Sequence, residues 1–173
     1  MIPHAFDPPS VWSCDHFQLQ VLSPQHAAPD YAAVCGSAPA IRHVFGPDND
    51  WPEAGITFEE NLRDLTRHEQ EFFQRIAFAY AMLDPRNGAY LGCVYIKPIK
   101  SRIEGDLRKS RFQAQVFFWL SSLHRVIDAA QTLSTLKSWM ATDWPFAQVA
   151  FPGREIDWRA WEAMALAAPK EIT

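Results

Sequence analysis

"HRVIDAAQTL", residues 124–133, is the stretch whose reading decides the fold. It follows "RFQAQVFFWLSS" (111–122), a strand pattern apolar on both faces over 116–120, as expected of a central strand covered on both sides. It opens a helix pattern over roughly 129–142, with Leu133, Leu136, Trp139 and Met140 as the apolar stripe. "FAQVAF" (146–151) then reads as a short strand, so the segment 112–151 makes a parallel β–α–β unit. A helix N-terminus at such a corner can hold a phosphate, because its first N–H groups are unbonded and the helix dipole favours an anion. Corners of this kind usually carry glycine, which lets the backbone approach the ligand. This one has none.

Upstream, residues 1–14 are Pro-rich and read as an N-terminal arm or edge segment, with the main domain over 15–173. "HFQLQVL" (16–22) alternates apolar and polar residues, as a half-buried strand does. A short helix pattern ends at Gly36, and Gly46, Pro47, Pro52 and Gly55 mark a long loop over 38–56. "TFEENLRDLTRHEQEFFQRI" (57–76) is the clearest helix. Thr57 and Glu60 form a capping box, and Phe58, Leu62, Leu65, Phe72 and Ile76 lie near one face. "AFAYAML" (77–83) and "AYLGCVYIKP" (89–98) read as strands joined through Asn87-Gly88, a strong hairpin signal. A last helix pattern covers about 155–167. The order β-α-α-β-β-β-α-β-α, without a linker, predicts a single three-layer α/β domain around a mixed central sheet.

Composition narrows the class. The chain has 173 residues, 48% apolar and 21% charged, with net charge −4, which describes an ordinary globular protein. A pI of about 5.8 argues against a dedicated nucleic-acid binder. No apolar run is long enough to span a bilayer, and "MIPHAFDPPS" does not resemble a signal peptide, so no membrane partner and a cytoplasmic location are expected. Cys14, Cys35 and Cys93 form no CxxC and read as small buried hydrophobes in a reducing compartment. The six histidines show no metal-ligand spacing.

The capped helix into "AFAYAML", the hairpin into "YLGCVYIKP", the strand "AQVFFWLSS" and "HRVIDAAQTLSTLKSWM" together resemble the GNAT superfamily of acyl-CoA-dependent N-acyltransferases over roughly residues 15–152. The resemblance implies acetyl-CoA as cofactor and an N-acetyltransferase acting on an unidentified small-molecule or peptide amine. In that family the cofactor pyrophosphate rests on Arg/Gln-x-x-Gly-x-Gly/Ala. Arg125, Asp128 and Ala130 stand in those slots, so the first glycine is replaced by a carboxylate. The backbone N–H groups of 126–131, including those of Val126 and Gln131, would still leave the helix N-terminus. Asp128 is also a preferred N-cap residue, and as a cap it would take amides that a phosphate needs. The family's pantetheine arm pairs with the strand before the turn, here Phe118, Trp119 and Leu120; these residues read equally well as core.

Acyl transfer to an amine needs a base for the ammonium and a proton for the departing thiolate. Many family members use a tyrosine in the C-terminal helix region, and this chain has none there. The strand 112–122 offers no carboxylate. The candidates are His124, Glu71 and Tyr95, with Glu69, His68 and Tyr80 behind them, and each also has a purely structural reading. The basic run 97–111, six basic against two acidic residues, reads as a solvated loop or as a contact for a ribose phosphate, an acidic substrate or RNA. Trp139, Trp144, Trp158 and Trp161 read as core, with a homodimer interface as the other use. The alternative function is a non-catalytic GNAT-fold binding or oligomerisation domain that has lost the cradle.

Overall fold

In the computed structural model, which describes residues 1–165, the capping box expected at the second helix is formed. Thr57 N donates to Glu60 Oε2 at 2.8 Å, and Glu60 N donates to Thr57 Oγ1 at 3.2 Å. Helix α2 (Phe58–Phe73) therefore starts where the sequence places it. It ends earlier than the apolar pattern suggested, because Arg75 adopts φ 61° and turns the chain. Ile76 consequently lies outside the helix and is exposed, as is Phe73. The turned Arg75 guanidinium donates to the carbonyls of Pro3 and Phe6 at 2.9 and 2.6 Å, which holds the N-terminal arm against the body.

The strands β1 (Val11–Ser13), β2 (Gln18–Val21), β3 (Phe78–Leu83), β4 (Tyr90–Lys97), β5 (Ala114–Leu120) and β6 (Val149–Ala150) lie side by side in chain order. Neighbours are antiparallel from β1 to β5. The β5–β6 pair is parallel, joined through α4 (Ala129–Asp143), so the sheet is mixed as expected. Strand β5 is covered on both sides. Val116 and Phe118 pack with Trp139 and Met140 of α4, while Phe117 and Trp119 pack with Val34 of α1 (Ala27–Ile41) and Leu65 of α2. Trp139, Trp144 and Trp161 are buried, and Trp158, at the start of α5 (Trp158–Ala163), is half-buried.

Three elements differ from the sequence reading. Residues 11–13, where no strand is read within the N-terminal arm or edge segment, add an edge strand, so this part of the segment is the edge. Helix α1 continues past Gly36 to Ile41, because that glycine marks a close approach rather than an end. A Cβ there would lie 2.8 Å from Leu123 Cδ2. The basic run 97–111 holds a short helix, α3 (Leu107–Arg111), capped by the buried Asp106 and clamped through Arg108. Of the cysteines only Cys93 is buried; Cys14 is half-buried and Cys35 is exposed on the outer side of α1. Among the described residues no helix is long and apolar enough to cross a membrane. The end of the last helix expected near 167 lies outside the described residues.

Candidate functional site

Strands β5 and β6 pair at two rungs only, Ala114–Val149 and Gln115–Ala150, and then part. Along a strand, successive residues point their backbone groups to opposite edges. The Trp119 carbonyl faces β4: a Cβ on Gly92 would meet it at 2.0 Å, which with φ 145° is why position 92 is glycine. Phe118 and Leu120 therefore turn their N–H and C=O groups to the open side. There the Phe118 carbonyl accepts from Arg154 Nη2 at 3.3 Å, and the guanidinium lies 4.5 Å from the Phe118 ring centroid. A cavity of about 390 Å³ opens on this edge. Its walls are Phe117–Leu120, the end of α1 through Val44, Ala129, and Pro152–Arg154 with Trp158. Arg42 and Arg154 make the wall basic.

At the far end of that edge the turn 121–128 leads into α4. It is tied to α1 by Ser122 N donating to Ser37 Oγ at 2.8 Å. Asp128 is the N-cap: its Oδ1 accepts from Gln131 N at 2.8 Å, and its carbonyl accepts from Thr132 Oγ1 at 2.7 Å. Among the described residues the amides of Ala129 and Ala130 remain as the unbonded donors of the first helical turn. Arg125, Val126 and Ala130 are exposed, and the Gln131 side chain reaches His16 Nε2 at 2.7 Å. His124 is exposed too, on the flank where it faces the Asp84 carboxyl. Asp84 is held at about 2, chiefly by hydrogen bonds from Arg86.

A different set of residues meets on the α1/α2 face of the sheet. Tyr95 of β4 accepts from Trp119 Nε1 at 3.2 Å, and its ring packs on that of His68 with centroids 5.4 Å apart. His68 Nδ1 lies 3.5 Å from Glu71 Oε2, so Glu71 and Tyr95 flank one imidazole. Burial holds His68 down at about 3, with help from Arg67 and Lys97, so its ring is neutral at pH 7. Beneath it a polar chain runs inward. Asn61 Nδ2 donates to Asp30 Oδ2 at 2.8 Å, and Tyr90 Oη donates to Asp30 Oδ1 at 2.6 Å, beside Cys93. Burial raises Asp30 and pushes the Tyr95 phenol well above its ordinary range. A cavity of about 230 Å³ is lined by His68, Tyr95, Asp30, Asn61, Trp51 and Lys97 among others.

Lys97 was not singled out in the sequence, where it opens a basic run. It caps β4 on the same face as Tyr95, and its Nζ lies 4.2 Å from the Phe45 ring centroid and 5.3 Å from that of Tyr95. Burial lowers its ammonium to about 8. No short-range pattern could have marked it, since Phe45 and Tyr95 lie on separate elements. The structure brings Glu71 and Tyr95 to this cluster and leaves His124 on the opposite flank. Phe118, Leu120 and Ala129 meet at the slot beside β5.

No protein-family model matches the chain, and no curated protein matches it by sequence. Its structure is similar to that of the ribosomal-protein-S5-alanine acetyltransferase from Vibrio fischeri, with TM-score 0.53 and 14% identity over 76% of this chain and 67% of that one. It is similar to the acetyltransferase from Salmonella typhimurium that modifies the N-terminal serine of ribosomal protein L7/L12 (TM-score 0.52, 14%, over 76% and 68%). It is also similar to the microcin C7 self-immunity acetyltransferase MccE, solved with acetyl-CoA and AMP (TM-score 0.55, 11%, over 78% and 69%). At these identities the shared property is the fold, and the fold is that of the GNAT acetyltransferases.

Proposed function

We propose that the protein is an N-acetyltransferase that moves an acetyl group from acetyl-CoA to a small-molecule or peptide amine. The observation that carries this reading is the parting of β5 from β6 after the Gln115–Ala150 rung, beside a basic-walled cavity of about 390 Å³. An open strand edge suits an amide-bearing arm, which can pair with it as an added strand. Leu120 and the Phe118 N–H would supply that pairing, with the Phe118 carbonyl joining once Arg154 releases it, and the Trp119 backbone would not, since it serves β4. Arg42, Arg154 and the amides of Ala129 and Ala130 would meet the phosphates. Arg125, Val126 and Gln131 border this anion site. The fit is good along the slot and poorer at the turn, where the Asp128 carboxylate holds one amide and opposes an anion.

When bound, acetyl-CoA supplies an acyl thioester with a good leaving group. The chain's own part is to orient and to exclude water. Tyr95 stays a phenol at every physiological pH and can only give or take a hydrogen bond, so its role is to orient the acceptor in the cavity beside His68. Glu71 fixes the imidazole from behind. His124 is outside this arrangement. We place the protein in a reducing cytoplasm, in keeping with its three free cysteines.

The test is thermal unfolding with acetyl-CoA, CoA and desulfo-CoA. A ligand of the native state raises the melting temperature once its concentration exceeds Kd. A shift with all three supports the reading, and no shift at millimolar ligand overturns it. The Asp128 cap favours a second reading, a GNAT-fold binding or oligomerisation domain without cofactor chemistry. The absence of a shift, joined to a concentration-dependent mass in solution, would select it.

A further inference from the structure

We infer that Lys97 is a self-acylation site: its ε-amine takes an acyl group from a thioester bound in the β5 slot. This rests on the acetyl-CoA reading above. The position of Lys97 in the sheet is the first ground. Lys97 pairs with Gln115 across β4 and β5, and Gln115 pairs with Ala150 across β5 and β6. That rung is the last before β5 and β6 part. A ligand lying along the open edge with one end at the α4 N-terminus has its other end near this rung, some ~13 Å away for a run of four strand residues. Lys97, Gln115, Phe117 and Trp158 line a common cavity, and Phe117 and Trp158 also line the slot.

The second ground is how the amine is held. Its Nζ sits against the faces of Phe45 and Tyr95, and among the described residues it makes no salt bridge. The charged groups around it act in both directions: Arg67 and Lys100 disfavour the ammonium, Glu71 and Asp64 favour it, and the neighbouring His68 is neutral. Burial decides the outcome. With its ammonium lowered from 10.5 to about 8, the neutral amine is roughly 300-fold more populated at pH 7 than that of an ordinary lysine. The step balances within the site. The Nζ lone pair forms the amide bond to the acyl carbon, the carbon–sulfur bond breaks, CoA leaves as thiolate, and the proton lost by the amine neutralises the thiolate or passes to solvent. The product is uncharged, which suits an aromatic and buried setting better than the ammonium does.

The experiment incubates the whole protein with acetyl-CoA at pH 7 to 9 and reads intact mass and peptide maps over time. A parallel arm uses limiting acetic anhydride, and thermal shift reports cofactor binding. One acetyl group on Lys97, added at least ten-fold faster than on Lys100 and abolished in Lys97→Arg, is the expected result. The anhydride should also prefer Lys97 over Lys100 and Lys137. Ala129→Trp, which blocks the slot, should stop acetylation by acetyl-CoA and leave the anhydride preference in place. A thermal shift with acetyl-CoA but an unmodified Lys97 would overturn self-acylation and leave the acetyltransferase reading standing. No thermal shift and no modification would overturn both. Equal labelling of Lys97 with and without the slot blocked would reduce the site to a merely reactive lysine and overturn the proposal.

Discussion

Asp128 Oδ1 accepts the Gln131 amide at 2.8 Å, so the carboxylate at the turn after β5 is the N-cap of α4. Two effects of opposite sign meet in this one side chain. The cap stabilises the helix, and the charge and the occupied amide work against an anion at the turn. Asp128→Ala should lower stability by about 1 kcal/mol, which for a chain of this size is roughly 2–4 °C in Tm. The same variant should enlarge the Tm increase produced by acetyl-CoA, because a negative charge is removed and an amide freed. Thermal unfolding with and without ligand checks both signs. An unchanged ligand shift would mean that the turn does not contact the phosphates.

Tyr95 gives a second test. Its hydroxyl accepts from Trp119 Nε1 at 3.2 Å, and both side chains are buried. Tyr95→Phe leaves that indole N–H without a partner, at a cost of about 1–3 kcal/mol. Denaturant unfolding should show the loss as a lower midpoint with an unchanged slope. If the phenol also orients the acceptor amine, turnover should fall while the acetyl-CoA-dependent Tm shift stays at its wild-type size.

The fold was legible where period and punctuation agree. The capping box at Thr57 and Glu60, the Asn87-Gly88 hairpin and the two-sided apolar run at 116–120 each carry their physics within a few residues. Strand β1 and helix α3 were not, since three and five residues are too short to establish a period. Gly36 misled because a glycine needed for close packing and a glycine that ends a helix look alike in sequence. The open edge of β5 entered only through the family resemblance, because backbone pairing leaves no mark in side-chain identity. The cluster around Lys97 was not legible, because it is assembled from α2, β4, β5 and the loop carrying Phe45, residues far apart in the chain. Asp128 as a cap was readable; which of its two consequences prevails at the site was not.

Gly92 tests the geometry beneath the site. With φ 145° and a would-be Cβ 2.0 Å from the Trp119 carbonyl, no side chain fits without moving β5. Gly92→Ala combines an unfavourable backbone conformation with a backbone clash, and should cost about 3 kcal/mol or more. Because Trp119 lies between Phe118 and Leu120, a displaced β5 should also shift the open edge. The variant should therefore lose its acetyl-CoA Tm shift even under conditions where it remains folded by circular dichroism.

His68 makes stability depend on pH with a definite sign. Its folded pKa is about 3, below the ordinary 6.5, because burial opposes the charged ring. Between those values the unfolded chain binds a proton that the folded chain does not, so stability at this site is undiminished above pH 6.5 and declines as pH falls toward 3. The full displacement corresponds to a loss on the order of 5 kcal/mol. Asp84 and Asp106, both held at about 2 by hydrogen bonds from arginines, add losses below pH 4, whereas Asp30, raised by burial, acts in the opposite direction. Those terms are shared by wild type and His68→Gln, so the difference between the two isolates the imidazole. Denaturant titrations at pH 7, 5.5 and 4 should show wild type losing stability faster than the variant as pH falls. Parallel pH profiles would mean that His68 is protonated inside the folded protein, with its 3.5 Å contact to Glu71 serving as a charged pair.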